Sequence, residues 1–124
     1  MCSTENNINI LPEHNLLRRY IFPNPPNLTL IKENGEICST CFHLKPNENG
    51  ISVNLEHLTT LEESIIDRTK YRLLRLRAGA VQQINLTIEH SPEPNNYSHS
   101  LIKGVIDRKT GRKLASIAVK VKFP

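Results

Sequence analysis

The sequence predicts a single α+β domain built on a mainly antiparallel sheet with one or two short helices, and three observations predict it. An Asn34-Gly35 pair separates two apolar arms within residues 28–42. Both residues tolerate positive φ, as a type I′ hairpin requires, so this hairpin is the expected nucleus of the sheet. Thr60 followed by Glu63 has the form of a capping box, which begins a helix. Short runs in the second half alternate apolar and polar residues, as half-buried strands do. At 124 residues the chain suffices for one core, burying roughly 65% of its unfolded surface without disulfides or metal.

Residues 1–13 are polar, with Asn6, Asn7 and Asn9 among isolated Ile8, Ile10 and Leu11, and read as a frayed tail before a domain over 14–124. Leu16, Leu17, Tyr20, Ile21 and Phe22 form a short apolar cluster around Arg18 and Arg19. Pro23, Pro25 and Pro26 stop any helix that this cluster begins. In the hairpin Leu28 and Leu30 alternate with Thr29 and Ile31, and the outgoing arm runs from Glu36 to Phe42. A loop with Pro46, Asn47, Asn49 and Gly50 leads to a third strand, expected beside the hairpin. There Ile51 and Val53 point one way, Ser52 and Asn54 the other.

The capping box gives a helix over about residues 59–68, striped by Leu61, Ile65 and Ile66. Residues 71–77 read as the end of that helix or as a new strand, with the strand favoured because Thr69-Lys70 interrupts the helix. Residues 78–84 form a short helical passage weakened by Gly79, and 86–90 alternate as a strand. The turn-rich run 91–96 precedes a strand over 100–106, after which 107–111 turn the chain. Residues 112–118 admit a helix, while Ile117, Val119, Val121 and Phe123 alternate with Ala118, Lys120 and Lys122, so helix or strand stays open over 112–118 and period two is expected at the end.

No apolar run approaches the ~18 residues of a membrane span and no hydrophobic stretch follows Met1, so a cytoplasmic protein without a membrane role is expected. Three cysteines, an odd number, make no disulfide framework. The net charge of +4 conceals an asymmetry. Residues 1–66 carry 4 Lys and Arg against 8 Asp and Glu, whereas 67–124 carry 12 against 4. A basic second half favours an acidic partner, either nucleic acid or a protein surface.

Cys38-Ser39-Thr40-Cys41 with His43 has the look of half a metal site. On an extended strand, residues three apart face opposite sides, and no second cysteine pair completes four ligands, so no metal and no cofactor are expected. His99 follows the 91–96 loop where a strand begins, a place that suits ligand binding or acid and base chemistry. No nucleophile elbow, phosphate-binding glycine loop or paired carboxylates appear. Arg72, Arg75 and Arg77, with Arg112 and Lys113, are candidates for a phosphate-binding stripe, although three Tyr, three Phe and no Trp leave little for base stacking.

The hairpin end from Ile37 to Phe42, the Ile51-Ser52-Val53-Asn54 strand, the Leu58-Thr59-Thr60-Leu61 helix start and the run from Asn96 to Gly104 resemble a group of small bacterial proteins of unassigned function. The likeness spans about residues 17–104. Where that group has Ser-Ser-x-x-Phe-like, Leu-Ser-Val-Asp and His-Ala-x-x-x-Gly-like runs, Cys38, Asn54 and Ser100 depart from it. The resemblance implies a candidate surface of Arg19, Ser39, Asn54, Asn96 and His99, and implies no reaction.

Three functions follow as expectations. The first is a non-catalytic interaction module that binds a protein partner as a small subunit of a larger bacterial system. The second is RNA or DNA backbone binding through residues 67–124. The third is a small enzyme with its site at His99, Arg19 and Ser39.

Overall fold

A computed structural model of the chain describes residues 8–122. Its centre is one six-stranded sheet, antiparallel at every pairing. The strands are β1 (Asn15–Ile21), β2 (Ile51–Leu55), β3 (Tyr71–Arg77), β4 (Thr87–His90), β5 (His99–Lys103) and β6 (Val119–Lys120), in spatial order β4-β5-β2-β1-β3-β6. Three short helices accompany them, α1 (Leu61–Ile65), α2 (Ala78–Gln83) and α3 (Arg108–Ile117). The α+β class with an antiparallel sheet is as the sequence predicts; the helices number one more than expected.

The sheet is not nucleated by the 28–42 hairpin. A turn does form there, since Gly35 N–H donates to Lys32 C=O and Lys32 N–H to Glu36 C=O, both at 2.8 Å. Only Gly35 takes positive φ, at +90°, so the turn is not the type I′ form in which Asn34 shares that conformation. The arms meet in a single bridge, Ile31 to Ile37. Beyond it, Asn24 takes over the role of a neighbouring strand: its Oδ1 accepts from the N–H groups of Leu30 and Ile31, and its Nδ2 donates to Ile31 C=O at 2.8 Å. The outgoing arm coils into a 3₁₀ turn, Ser39–Phe42, that buries Cys41 and Phe42.

The central position belongs to β1, which pairs β3 along its whole length and β2 at Leu16 and Leu17. Leu16 and Leu17 are both buried, on opposite faces, and Arg18 and Arg19 follow as a second like pair, so the strand shows no apolar–polar alternation. That is why the cluster at 16–22 gave no strand signal. The 51–54 strand likewise pairs with β1 and β5 and not with the residue 28–42 segment, which packs on it through the core.

Local signals fare better. Thr60 caps α1, its hydroxyl accepting Glu63 N–H at 3.0 Å, although the helix ends at Ile65, short of the expected 68. Residues 71–77 are the strand β3, and 78–83 the helix α2. The strand expected over 100–106 stops at Lys103 because Gly104 turns with φ +140°, in a place where a Cβ would sit 2.6 Å from Leu86 Cδ2. Asp107, read as a turn residue, caps α3 by accepting Thr110 N–H at 2.8 Å. Gly111 and Leu114 are buried at helical spacing, so helix prevails over 112–117 and period two survives only in β6. Phe123 lies outside the described residues, as does most of the polar tail. Of that tail, Ile8 and Ile10 pack against the core.

The two faces of the sheet differ. On one, Leu16, Tyr20, Val53, Leu55, Leu74 and Ile102 join Phe42, Val81 and Leu114 in the principal core beneath the 30–44 segment, α2 and α3. On the other, Leu17 and Leu73 pack against Ile65 of α1 in a small second cluster edged by Leu61, Tyr71 and Val121. A helix of five residues covers part of that face. The remainder is open. Among the described residues no helix is long and apolar enough to cross a membrane.

Candidate functional site

The open part of the second face is a cleft of about 630 Å³. Its floor is Arg19 from β1, Ser52 and Asn54 from β2, and His99 from β5; α1 with Ile66 forms one wall and the 91–98 loop the other. The floor follows from alternation. Arg19 lies two residues from Leu17, Ser52 and Asn54 intervene between buried Ile51, Val53 and Leu55, and Asn54 stands opposite His99 in the β2–β5 register.

A chain of hydrogen bonds crosses the cleft. Asn96 Nδ2 donates to Asn54 Oδ1 at 2.8 Å, Asn54 Nδ2 to Ser64 Oγ at 2.9 Å, and Ser64 Oγ to Thr59 Oγ1 at 3.3 Å. Ser98 Oγ closes the loop end by donating to Asn96 Oδ1 at 2.6 Å. Arg19 donates to Ser64 C=O at 3.2 Å, and its guanidinium lies 5.1 Å from the centroid of the Tyr71 ring. Among the described residues none of the ion pairs involves Arg19. Its fork is held in place with donors to spare.

His99 is fixed at both ring nitrogens. Nδ1 lies 2.7 Å from Ser91 C=O and Nε2 lies 3.2 Å from Ser52 Oγ. A carbonyl oxygen has no proton to give, so Nδ1 carries the hydrogen and Nε2 accepts from the serine hydroxyl.

Ile66 borders this cleft with two thirds of its surface exposed, 67%. Its φ of 64° and ψ of −57° are the centre of a γ-turn, closed by Asp67 N–H donating to Ile65 C=O at 2.6 Å. That hand of γ-turn is rare, and a β-branched side chain there is strained.

Four of the five residues of the candidate surface thus meet: Arg19, Asn54, Asn96 and His99. Ser39 does not. It lines a separate groove of about 490 Å³ with Cys38 and Arg112, between the 32–39 segment and α3, where Gly111 allows the helix to approach the Ser39 backbone. The enzyme reading at His99 with Ser39 therefore loses its serine, and Ser52, on the same strand face as Asn54, stands at His99 instead. The alternation that put Ser52 beside Asn54 was readable; the pairing of β2 with β5 was not.

The basic candidates are dispersed. Arg72 and Arg75 sit three apart on β3 and face opposite sides. Arg72 donates to Tyr71 C=O at 2.8 Å and lies over the Phe22 ring, while Arg75 makes a bidentate pair with Glu56 at 2.7 and 2.6 Å. Arg77 is exposed at the end of β3, and Arg112 and Lys113 are exposed on α3.

Cys38 precedes the 3₁₀ turn as its N-cap and Cys41 lies within it, so neither is on a strand. Cys41 is buried with Sγ 3.4 Å from Leu30 C=O, and burial pushes its thiol up to about 11, so it offers no thiolate at neutral pH. Among the described residues no three His, Cys, Asp or Glu side chains are placed to hold a metal ion. No protein-family model, curated protein or solved structure matches the chain.

Proposed function

We propose that the chain is a small cytoplasmic interaction module, a subunit of a larger bacterial system, that captures a carboxylate-bearing segment of a protein partner in the cleft at Arg19. The observation that carries this reading is the Arg19 guanidinium. It is held by Ser64 C=O and Tyr71, shares the cleft with the amides of Asn54 and Asn96, and among the described residues forms no ion pair, neither with Glu63 nor with Glu93 on the cleft walls. A pre-positioned fork of N–H donors suits a planar anion, which it takes in two parallel hydrogen bonds. Exposed Ile66 and Tyr97 beside it supply apolar contact for the rest of the segment. Binding of a nucleic-acid backbone has less support, since Arg75 is already neutralised by Glu56 and the remaining cations are spread over both faces and α3.

The test is capture of partners from native cells with the tagged chain and its Arg19→Glu variant, each with and without nuclease. A defined protein that survives nuclease and is lost with Arg19→Glu supports the reading. Equal recovery by both chains, or material that disappears on nuclease treatment, overturns it.

A further inference from the structure

The Ser52–His99 pair goes beyond holding a partner. Ser52 and His99 are diagonal neighbours on paired strands, for Asn54 stands opposite His99 and Ser52 opposite Leu101. The hydroxyl reaches Nε2 at 3.2 Å while Ser91 C=O, 2.7 Å from Nδ1, fixes the tautomer that leaves Nε2 as acceptor. A nucleophile, its base and a group that orients the base are the parts of an acyl-transfer relay. Here a backbone carbonyl fills the third position, usually an acid or amide side chain.

Two further observations fit. Ser52 is exposed on the floor of an open cleft, so an acyl carbonyl has access to Oγ. The same cleft holds N–H donors for a developing oxyanion: the Arg19 fork, and the second amide N–H of Asn54 and of Asn96, each beyond the one spent in the cross-cleft chain.

We propose that Ser52 is an acylatable nucleophile with His99 as its general base, and that the cleft hydrolyses carboxylic esters. Oγ adds to the ester carbonyl carbon as its proton passes to Nε2, and the carbonyl π pair moves onto oxygen. Collapse of that adduct breaks the bond to the leaving alkoxide, which takes the proton from Nε2 and departs as an alcohol. Water then gives a proton to Nε2 and its oxygen to the acyl carbon; the acid leaves as the proton returns to Oγ. The balance is ester and water in, acid and alcohol out, with no oxidant or reductant.

The probe is 4-nitrophenyl acetate acting on the full chain. The expected result is a burst of nitrophenolate and an acetyl group located on Ser52 by tandem mass spectrometry. Ser52→Ala should abolish that adduct, and His99→Gln should slow it about 100-fold or more, the usual contribution of a positioned base. Ser52→Cys should restore acyl transfer to position 52. Acetyl groups confined to lysines or to histidine, or a Ser52 rate unchanged by His99→Gln, overturn the proposal. Should His99→Gln fail to fold, a fluorophosphonate decides the matter: labelling of Ser52 in the folded wild type and not in urea supports the relay, whereas equal labelling in both removes it.

Discussion

Asn96 donates to Asn54 Oδ1 across 2.8 Å although 42 residues separate them, and this bond ties the 91–98 loop to the floor of the cleft. Neither amide is fully buried, so each is expected to contribute modestly. Asn54→Ala and Asn96→Ala should each lower stability by about 1 kcal/mol in urea unfolding. The double variant should fall short of additivity by about 0.5–1.5 kcal/mol, because both changes break the same bond. Full additivity would mean that the loop is held by other contacts.

The rings of His14 and His57 stack with centroids 4.1 Å apart. Desolvation, then repulsion from His14 and His90, holds His57 below the usual imidazole range. A base whose folded value is depressed binds fewer protons folded than unfolded. Its contribution is therefore present above the unfolded value, about 6.5, and is lost as pH falls through that region. The melting temperature should decline between pH 7 and pH 5, and His57→Gln should flatten the decline. An unchanged slope in that variant would place the pH response elsewhere.

Signals carried by a few adjacent residues were legible in the sequence. The Thr60 cap and the alternation of Ser52 with Val53 depend only on neighbours, and both appear as read. Asn34-Gly35 misled because the dipeptide permits two turns. The Asn34 side chain accepts Glu36 N–H at 3.0 Å, fixing the one in which Gly35 alone takes positive φ. Leu16 and Leu17 concealed the central strand, since burial on both faces erases period two. Arg19, Asn54, Asn96 and His99 line one cleft, a convergence that no spacing in the sequence encodes, and Ser52 as the partner of His99 likewise depends on β2 lying beside β5. No local pattern encodes that adjacency.

Ile66 stores strain at the edge of the cleft, with positive φ on a β-branched residue whose side chain is largely in solvent. Such a conformation costs about 1–3 kcal/mol. Glycine adopts it freely and gives back about 0.5–1 kcal/mol in unfolded-chain entropy. Ile66→Gly should therefore raise stability by about 1 kcal/mol in urea, and weaken partner capture if the side chain supplies the apolar contact proposed above. A clear loss of stability would show that Ile66 packs more than its exposure indicates.

Arg18, the neighbour of Arg19 on β1, faces the opposite side and serves the fold. Its Nε donates to Cys41 C=O and one terminal nitrogen to Ser52 C=O, both at 3.0 Å, joining the 3₁₀ turn to β2 where β1 and β2 are no longer paired. Burial lowers its basicity, but guanidinium remains charged at any pH the protein meets. Arg18→Met keeps the length of the stem and removes the fork, leaving one carbonyl unsatisfied beneath the turn and the other to water. The expected cost is about 2–3 kcal/mol by urea unfolding, with Arg18→Lys between the two because an ammonium cannot span both oxygens. Since Ser52 C=O is one of the two anchors, acylation at Ser52 should fall in Arg18→Met even at temperatures where the variant remains folded. Retention of wild-type stability would mean that water replaces both bonds and that Arg18 does not position β2.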